Sequence, residues 1–162
     1  MKKIPEEECI IRQIDESYSS ILTNIHKKCF PRYLEREAFT DFFSVKNTFA
    51  FIAIDSTKKD MTDAAIAMIV YRTMFEQAEI LTIGTIPDYQ GQGIAKILLR
   101  KAVDNCKQEG AKRLLLEVEV GNEVAIKLYK DNGFVQIDRR KLYYRQIDGT
   151  YTDALVMLKK LY

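Results

Sequence analysis

Hydrophobic and polar positions along the chain follow two periods. Apolar residues alternate with polar ones, or run together in β-branched clusters, over 9–13, 48–54, 64–73, 79–86, 113–120, 134–139 and 153–161, which predicts strands. Helical spacing appears in four places. Tyr18, Ile21, Leu22, Ile25 and Cys29 mark a helix that Asp15 or Ser17 caps and Pro31 stops. Ala38, Phe39 and Phe42 mark a short helix over 35–43. Ile94, Leu98, Ala102 and Cys106 mark a third, closed by Gly110, and 122–132 a fourth, begun at Asn122 and closed by Gly133. The polar stretch 55–63 reads as a hairpin loop, and Asp148 and Gly149 as a turn after 141–145. The order is a strand, two helices, an antiparallel meander, then β-α-β-α-β-β. It predicts a mixed α/β sheet with helices on both faces.

Composition narrows the class. The 162 residues, 47% hydrophobic and 30% charged, suit one globular domain. A net charge of +2 is too small to point to nucleic acid, and no apolar run is long enough to span a membrane. The polar start offers no signal-peptide core, so the expectation is one soluble, cytoplasmic domain, 1–162, without nucleic-acid or membrane partners. Cys9, Cys29 and Cys106 are odd in number and widely spaced, and read as small core hydrophobes. His26 is the only histidine and reads as a solvated helix residue, which excludes a histidine-rich metal site. Any chemistry then runs on carboxylates, tyrosines, backbone groups and a cofactor.

The strongest local signal is Gln90, Gly91, Gln92, Gly93, Ile94 and Ala95, directly between a strand and a helix. A helix N-terminus carries unpaired N–H groups and about half a positive charge, and glycines let that backbone close on a diphosphate. The segment has neither the G-K-[ST] of a P-loop nor the G-x-G-x-x-G of a dinucleotide fold. Gly84, inside the preceding strand, reads as a bulge or as a close backbone approach by a ligand.

These residues fit the [QR]-x-x-G-x-[GA] loop of the GCN5-related N-acetyltransferases, and the chain resembles that family. The resemblance continues through Leu116, Glu117 and Val118, then Asn122, Ala125, Ile126, Leu128, Tyr129, Gly133 and Phe134. It extends to Arg140, Tyr143, Tyr144, Asp148 and Gly149, and to Asp153, Ala154, Leu155, Val156 and Met157. In this register the chain is most similar to the RimI-type ribosomal-protein-alanine N-acetyltransferases. It departs from them in having Pro31, Arg32 and Tyr33 where Pro-Trp is usual, and Thr82, Ile86 and Gly121 where Asn, Asp and Ser are frequent.

The resemblance implies a mostly antiparallel acyl-CoA N-acyltransferase sheet, acetyl-CoA as co-substrate and no metal. It assigns acetyl-CoA to Ile83, Gly84 and Thr85, to the loop from Gln90 through Gly91, Gln92, Gly93, Ile94 and Ala95 to Lys96, and to Asn122. It makes Glu117 the proton acceptor and Tyr129 the proton donor to the leaving thiolate, with Phe30, Tyr33 and Tyr143 on the acceptor side. By alternation alone, Leu115, Glu117 and Glu119 share one strand face. A carboxylate there either occupies a partly dry site suited to a base or faces water beside Lys112 or Arg113. Spacing alone favours water, and it is the resemblance that makes Glu117 the base. Glu119 reads as surface, and Arg139, Arg140, Lys141 and Arg145 as a solvated strand end.

The expected activity is direct acetyl transfer from acetyl-CoA to a protein N-terminal α-amine, by resemblance the N-terminal alanine of a small-subunit ribosomal protein. The alternatives are the same fold acting on a small amine, such as a polyamine, antibiotic or amino acid, and a non-catalytic acyl-CoA-binding module.

Overall fold

The computed structural model describes residues 1–162. Its strands are β1 (Cys9–Ile14), β2 (Thr48–Asp55), β3 (Ala65–Met74), β4 (Gln77–Thr85), β5 (Arg113–Glu119), β6 (Val135–Arg145) and β7 (Tyr151–Lys160). Its helices are α1 (Ser19–Cys29), α2 (Arg36–Ser44), α3 (Met61–Ala64), α4 (Ile94–Gln108) and α5 (Glu123–Asp131). The seven strands form one mixed sheet in the order β1-β2-β3-β4-β5-β7-β6. β4 and β5 run parallel, whereas β1–β2, β2–β3, β5–β7 and β6–β7 are antiparallel. The chain divides into two compact units, Met1–Arg72 with Leu81–Ala102, and Thr73–Ile80 with Val103–Tyr162. No helix is long and apolar enough to cross a membrane.

In the first unit, β3 is buried at every residue from Ala65 to Tyr71. Successive strand residues point to opposite faces, so both faces of β3 are covered. Ala50, Ile52 and Ala53 of β2, Leu22 and Ile25 of α1 and Phe39 of α2 complete this core, all fully buried. α1 packs on α2, and α2 on β2. The stretch 55–63 is more than a hairpin loop, because Asp60 accepts the Thr62 N–H at 2.9 Å and starts the single turn α3.

His26 overturns the expectation of a solvated residue. It is 6% exposed, between Phe30 and Phe39, with ring centroids at 4.4 and 5.9 Å. Its Nδ1 accepts the Leu34 N–H at 3.0 Å, so it closes the segment after α1. Apolar spacing placed it between core positions, but only the packing of α2 decides that the position itself is dry.

In the second unit, Leu114, Leu116 and Val118 of β5 are buried, while Leu115, Glu117 and Glu119 are half-buried, as alternation predicts. The parallel β4–β5 ladder has three pairs, Gln77 with Arg113 to Glu79 with Leu115. From Leu116 to Glu119, β5 is paired along β7. β6 is one eleven-residue strand rather than two pieces, since its register against β7 slips at Gln136/Asp138 and at Arg140/Tyr144 without ending.

Burial lowers the His26 pKa from 6.5 to about 4. The folded state therefore refuses a proton that the unfolded chain accepts, and stability is lost as pH falls through 6.5 towards 4. The loss between pH 7 and pH 5 amounts to about 2 kcal/mol from this group. Denaturant unfolding at both pH values should show it, and His26→Asn, whose amide oxygen can still accept from Leu34, should flatten the difference. Equal pH dependence in the two proteins would remove the assignment to His26.

Candidate functional site

In the first unit, β4 ends at Thr85 and the chain turns through Pro87–Tyr89 into the glycine loop. Tyr89 is 3% exposed, and its hydroxyl donates to Asp55 Oδ2 at 2.6 Å. Asp55 Oδ1 also accepts from the Thr57 N–H at 3.0 Å and the Thr57 hydroxyl at 2.6 Å. Burial raises the Asp55 pKa, but the bonds from Thr57 and Tyr89 outweigh it and leave the carboxyl below its ordinary value. Burial first, and then this bond, push Tyr89 up to about 12. The end of β2 thus anchors the start of the loop, a tie between residues far apart in sequence that no local pattern announces.

Gly91 and Gly93 have φ of +78° and +81°, the left-handed region where glycine pays no Cβ penalty. A Cβ at either position would meet nothing within 4 Å, so the backbone there is open to a ligand. The first α4 bond runs from the Ile97 N–H to the Gly93 carbonyl. The N–H groups of Ile94, Ala95 and Lys96 precede it and have no intrahelical acceptor. Ile94 buries its side chain at 3% exposure and offers only backbone. Gln90 braces the loop by donating from Nε2 to the Thr85 carbonyl at 3.0 Å. The Gln92 side chain is turned to the N-terminal segment, accepting from the Ile4 N–H at 3.0 Å and donating to the Lys2 carbonyl. Its expected contribution to a cofactor is therefore confined to its main chain.

Gly84 has a reason other than a ligand. A Cβ there would lie 3.1 Å from Cys29 Sγ and 3.2 Å from Phe30 Cε2, so the end of α1 presses on the strand at this point. Phe30 consequently lies beside the Ile83, Gly84 and Thr85 backbone. Thr85 Oγ1 is buried with no hydrogen-bond partner. Tyr33 is exposed and carries Lys27 Nζ over its ring at 5.1 Å.

The second unit holds the expected proton acceptor and donor, Glu117 and Tyr129. Glu117, with its side chain 18% exposed, places Oε1 3.0 Å from Arg140 Nη1. It is thus a paired carboxylate rather than a lone one in a dry strand. Tyr143 lies against the same carboxylate, and the hydrogen bond to Glu117, burial and the negative charge raise its phenol pKa. Arg140 also lies over the Tyr143 ring at 5.4 Å. Burial pushes Tyr144 up to about 12, assisted by Glu117, Tyr143 and Glu119. Tyr129 on α5 is 5% exposed, edge-on to Phe134 at 5.7 Å, and burial, then Tyr144, raise its pKa beyond the ordinary phenol range. Asn122 caps α5, its side chain accepting the Ala125 N–H at 3.2 Å.

The surface reading of Glu119 is overturned. Glu119 is half-buried and accepts from Gln146 Nε2 and the Thr152 hydroxyl, both at 2.9 Å. The basic cluster is exposed, as a solvated strand end, and within it Arg140 pairs with Glu117 and Arg139 with Asp153. From sequence Arg140 reads as part of a solvated strand end and Tyr144 as part of the family pattern, and neither reading shows that Arg140 pairs with a carboxylate on β5. No group of three or more His, Cys, Asp or Glu gathers that could hold a metal ion.

The family model for the acetyltransferase (GNAT) family matches residues 13–134, about three-quarters of the chain, including the loop, Glu117, Asn122 and Tyr129. The chain belongs to the GNAT acetyltransferases. A [ribosomal protein bS18]-alanine N-acetyltransferase of Haemophilus ducreyi is 37% identical over 95 residues, 59% of this chain and 66% of that relative, just under two thirds of its length. Among solved structures, the ribosomal-protein-S18-alanine N-acetyltransferase of Escherichia coli superposes with a TM-score of 0.83 at 24% identity, covering 94% of each chain. Arabidopsis thaliana NAA60 in complex with acetyl-CoA gives 0.81 at 23% identity, covering 94% of this chain and 98% of that one. At these identities the structures establish the GNAT fold.

Gly93→Ala should cost about 1–2 kcal/mol through its left-handed φ. If the open loop backbone is what holds the cofactor, the same change should raise the acetyl-CoA Kd at least tenfold by calorimetry. Gly149→Ala, at φ +88° with equally open space, should carry similar strain and leave that Kd unchanged. Equal affinities in all three proteins would remove the loop as the anchor.

Proposed function

We propose that this chain transfers the acetyl group of acetyl-CoA directly to the α-amine of a protein N-terminus, the N-terminal alanine of a small-subunit ribosomal protein being the natural acceptor. The observation that carries the cofactor is the open glycine backbone at the start of α4, with Thr85 Oγ1 buried and unpartnered just before it. The acceptor class rests on what the matched relatives are named for.

Acetyl-CoA supplies the activated thioester. The main-chain N–H groups of the loop and of the first turn of α4 hold its diphosphate, and those of Ile83, Gly84 and Thr85 are the candidates to meet charge developing on the carbonyl oxygen. Asn122 contributes a further contact to the cofactor while capping α5. Glu117 takes the proton of the attacking amine, directly or through a water. Tyr129, kept protonated by burial, donates to the departing thiolate. An α-amine, with a pKa of about 7.7–8.0 against about 10.4 for lysine, asks little of a carboxylate base at neutral pH. Phe30, Tyr33 and Tyr143 are the proposed acceptor-side contacts.

The test is CoA release with acetyl-CoA and two peptides, one with a free N-terminal alanine, the other blocked at its N-terminus with one internal lysine, beside a panel of small amines. Turnover confined to the free-alanine peptide is expected. Turnover confined to small amines would replace the acceptor and keep the transfer. Glu117→Gln and Tyr129→Phe should each lower kcat by about 10²–10⁴-fold. Full activity in both would leave a binding module.

A further inference from the structure

The β6–β7 hairpin carries an irregularity that the acetyl-transfer reading does not use. Arg140 faces Ala154 and Tyr144 faces Thr152, so β6 takes four steps where β7 takes two. Within the excess, Leu142 has φ of +52° while 68% exposed. A leucine gains nothing from that conformation and pays a steric penalty for it, so something else imposes it. The restraint is Asp153, opposite on β7. Its Oδ1 accepts the Leu142 N–H at 2.9 Å and its Oδ2 accepts from Arg139 Nε at 2.7 Å. Those two bonds also hold its carboxyl below the ordinary range, the Leu142 bond contributing most.

The bulge has a consequence for side-chain direction. In a regular strand, residues 140 and 143 point to opposite faces because their separation is odd. Here both reach Glu117. Arg140 Nη1 is 3.0 Å from Oε1, the Tyr143 phenol lies against the same carboxylate, and the guanidinium covers the Tyr143 ring. Bulges are known to re-aim side chains beside active sites in this way. A guanidinium never yields its proton, so Arg140 cannot itself be the base. It can fix a flexible glutamate, and a planar carboxylate held at one oxygen is oriented at the other.

Building on the acetyl-transfer reading, we infer that Arg140 is the positioning residue for Glu117, and that Asp153 sets it in place by holding the β6 bulge. The inference separates a role for Arg140 in the reaction from one in folding, since its effect must pass through Glu117.

The experiment is a double-mutant cycle in kcat, with acetyl-CoA and the free-alanine peptide, on wild type, Arg140→Met, Glu117→Gln and the double variant, with Arg140→Lys and Asp153→Ala alongside. Arg140→Met and Asp153→Ala should lower kcat ten- to a hundredfold with the acetyl-CoA KM within twofold. Arg140→Lys should recover much of the loss, and the double variant should be no slower than Glu117→Gln alone. Wild-type kcat in Arg140→Met, or losses that multiply in the double variant, would overturn the inference. Unfolding midpoints identify any variant that fails to fold, and Arg140→Lys with Asp153→Ala then carries the comparison. A wild-type protein inert on every acceptor overturns the acetyl-transfer reading and the positioning role with it, an outcome distinct from an active wild type with an equally active Arg140→Met.

Discussion

A glycine-rich loop binds an anion only if its N–H groups are held in place, and in this chain one buried hydrogen bond does most of the holding. Tyr89 immediately precedes the loop, and its hydroxyl reaches Asp55 at the end of β2. Losing Asp55 leaves the Tyr89 hydroxyl buried and unsatisfied, which costs more than the bond itself contributes, whereas Asp55 keeps its two bonds from Thr57 if Tyr89 is lost. Gln90 adds a second brace from the loop back to Thr85. The glycines can therefore stay bare of neighbours, as a close-approaching diphosphate requires, without the segment becoming slack. The restraint comes from behind the loop and the freedom faces outward.

The second unit solves a related problem with charge. A half-buried carboxylate needs partners, and a strand partner on β5 itself cannot supply them because neighbouring residues point the other way. The partners come from β6, and only because that strand departs from regular geometry. Strain at Leu142 is thus the local cost of directing Arg140 and Tyr143 to one acceptor. Asp153 carries the opposing stabilisation, with one oxygen on the strained residue and one on Arg139.

What could be read from the sequence follows the range of the interactions. Alternation gave β5 and the shared face of Leu115, Glu117 and Glu119, because the strand period is local, but not that this face is half-buried, which depends on what packs over it. Asn122 was legible as a cap, and Gly91 and Gly93 as the loop, for the same reason. His26 was misjudged because helical spacing does not tell which neighbouring helix covers a position, and α2 covers this one with Phe39. A glycine in a strand signals a bulge or a close approach without saying by what, and at Gly84 the side chains of Cys29 and Phe30 supply one such approach that the pattern does not name. The bulge in β6 was seen only as a break at 140, since a register slip is a property of two strands. Asp55, Arg140 and Tyr144 act across many residues of sequence, and no period encodes that.

The proton inventory of the folded chain bears on whether transfer needs a covalent acyl-enzyme. Through a cysteine, such a route needs a thiolate near neutral pH. Cys29 is the thiol nearest the Ile83, Gly84 and Thr85 backbone, and burial holds its pKa up at about 11, with Lys28 opposing only in part. Burial likewise carries Cys106 to about 12, and raises Cys9 with Asp55 adding to the effect. His26 cannot activate any of them, because its Nδ1 is occupied by the Leu34 N–H and its pKa lies near 4. With thiolate and imidazole both withdrawn from use, the groups left to move protons are carboxylates and phenols. A carboxylate that accepts from an amine and a phenol that donates to a thiolate suffice for direct attack on a thioester, and those are the roles proposed for Glu117 and Tyr129.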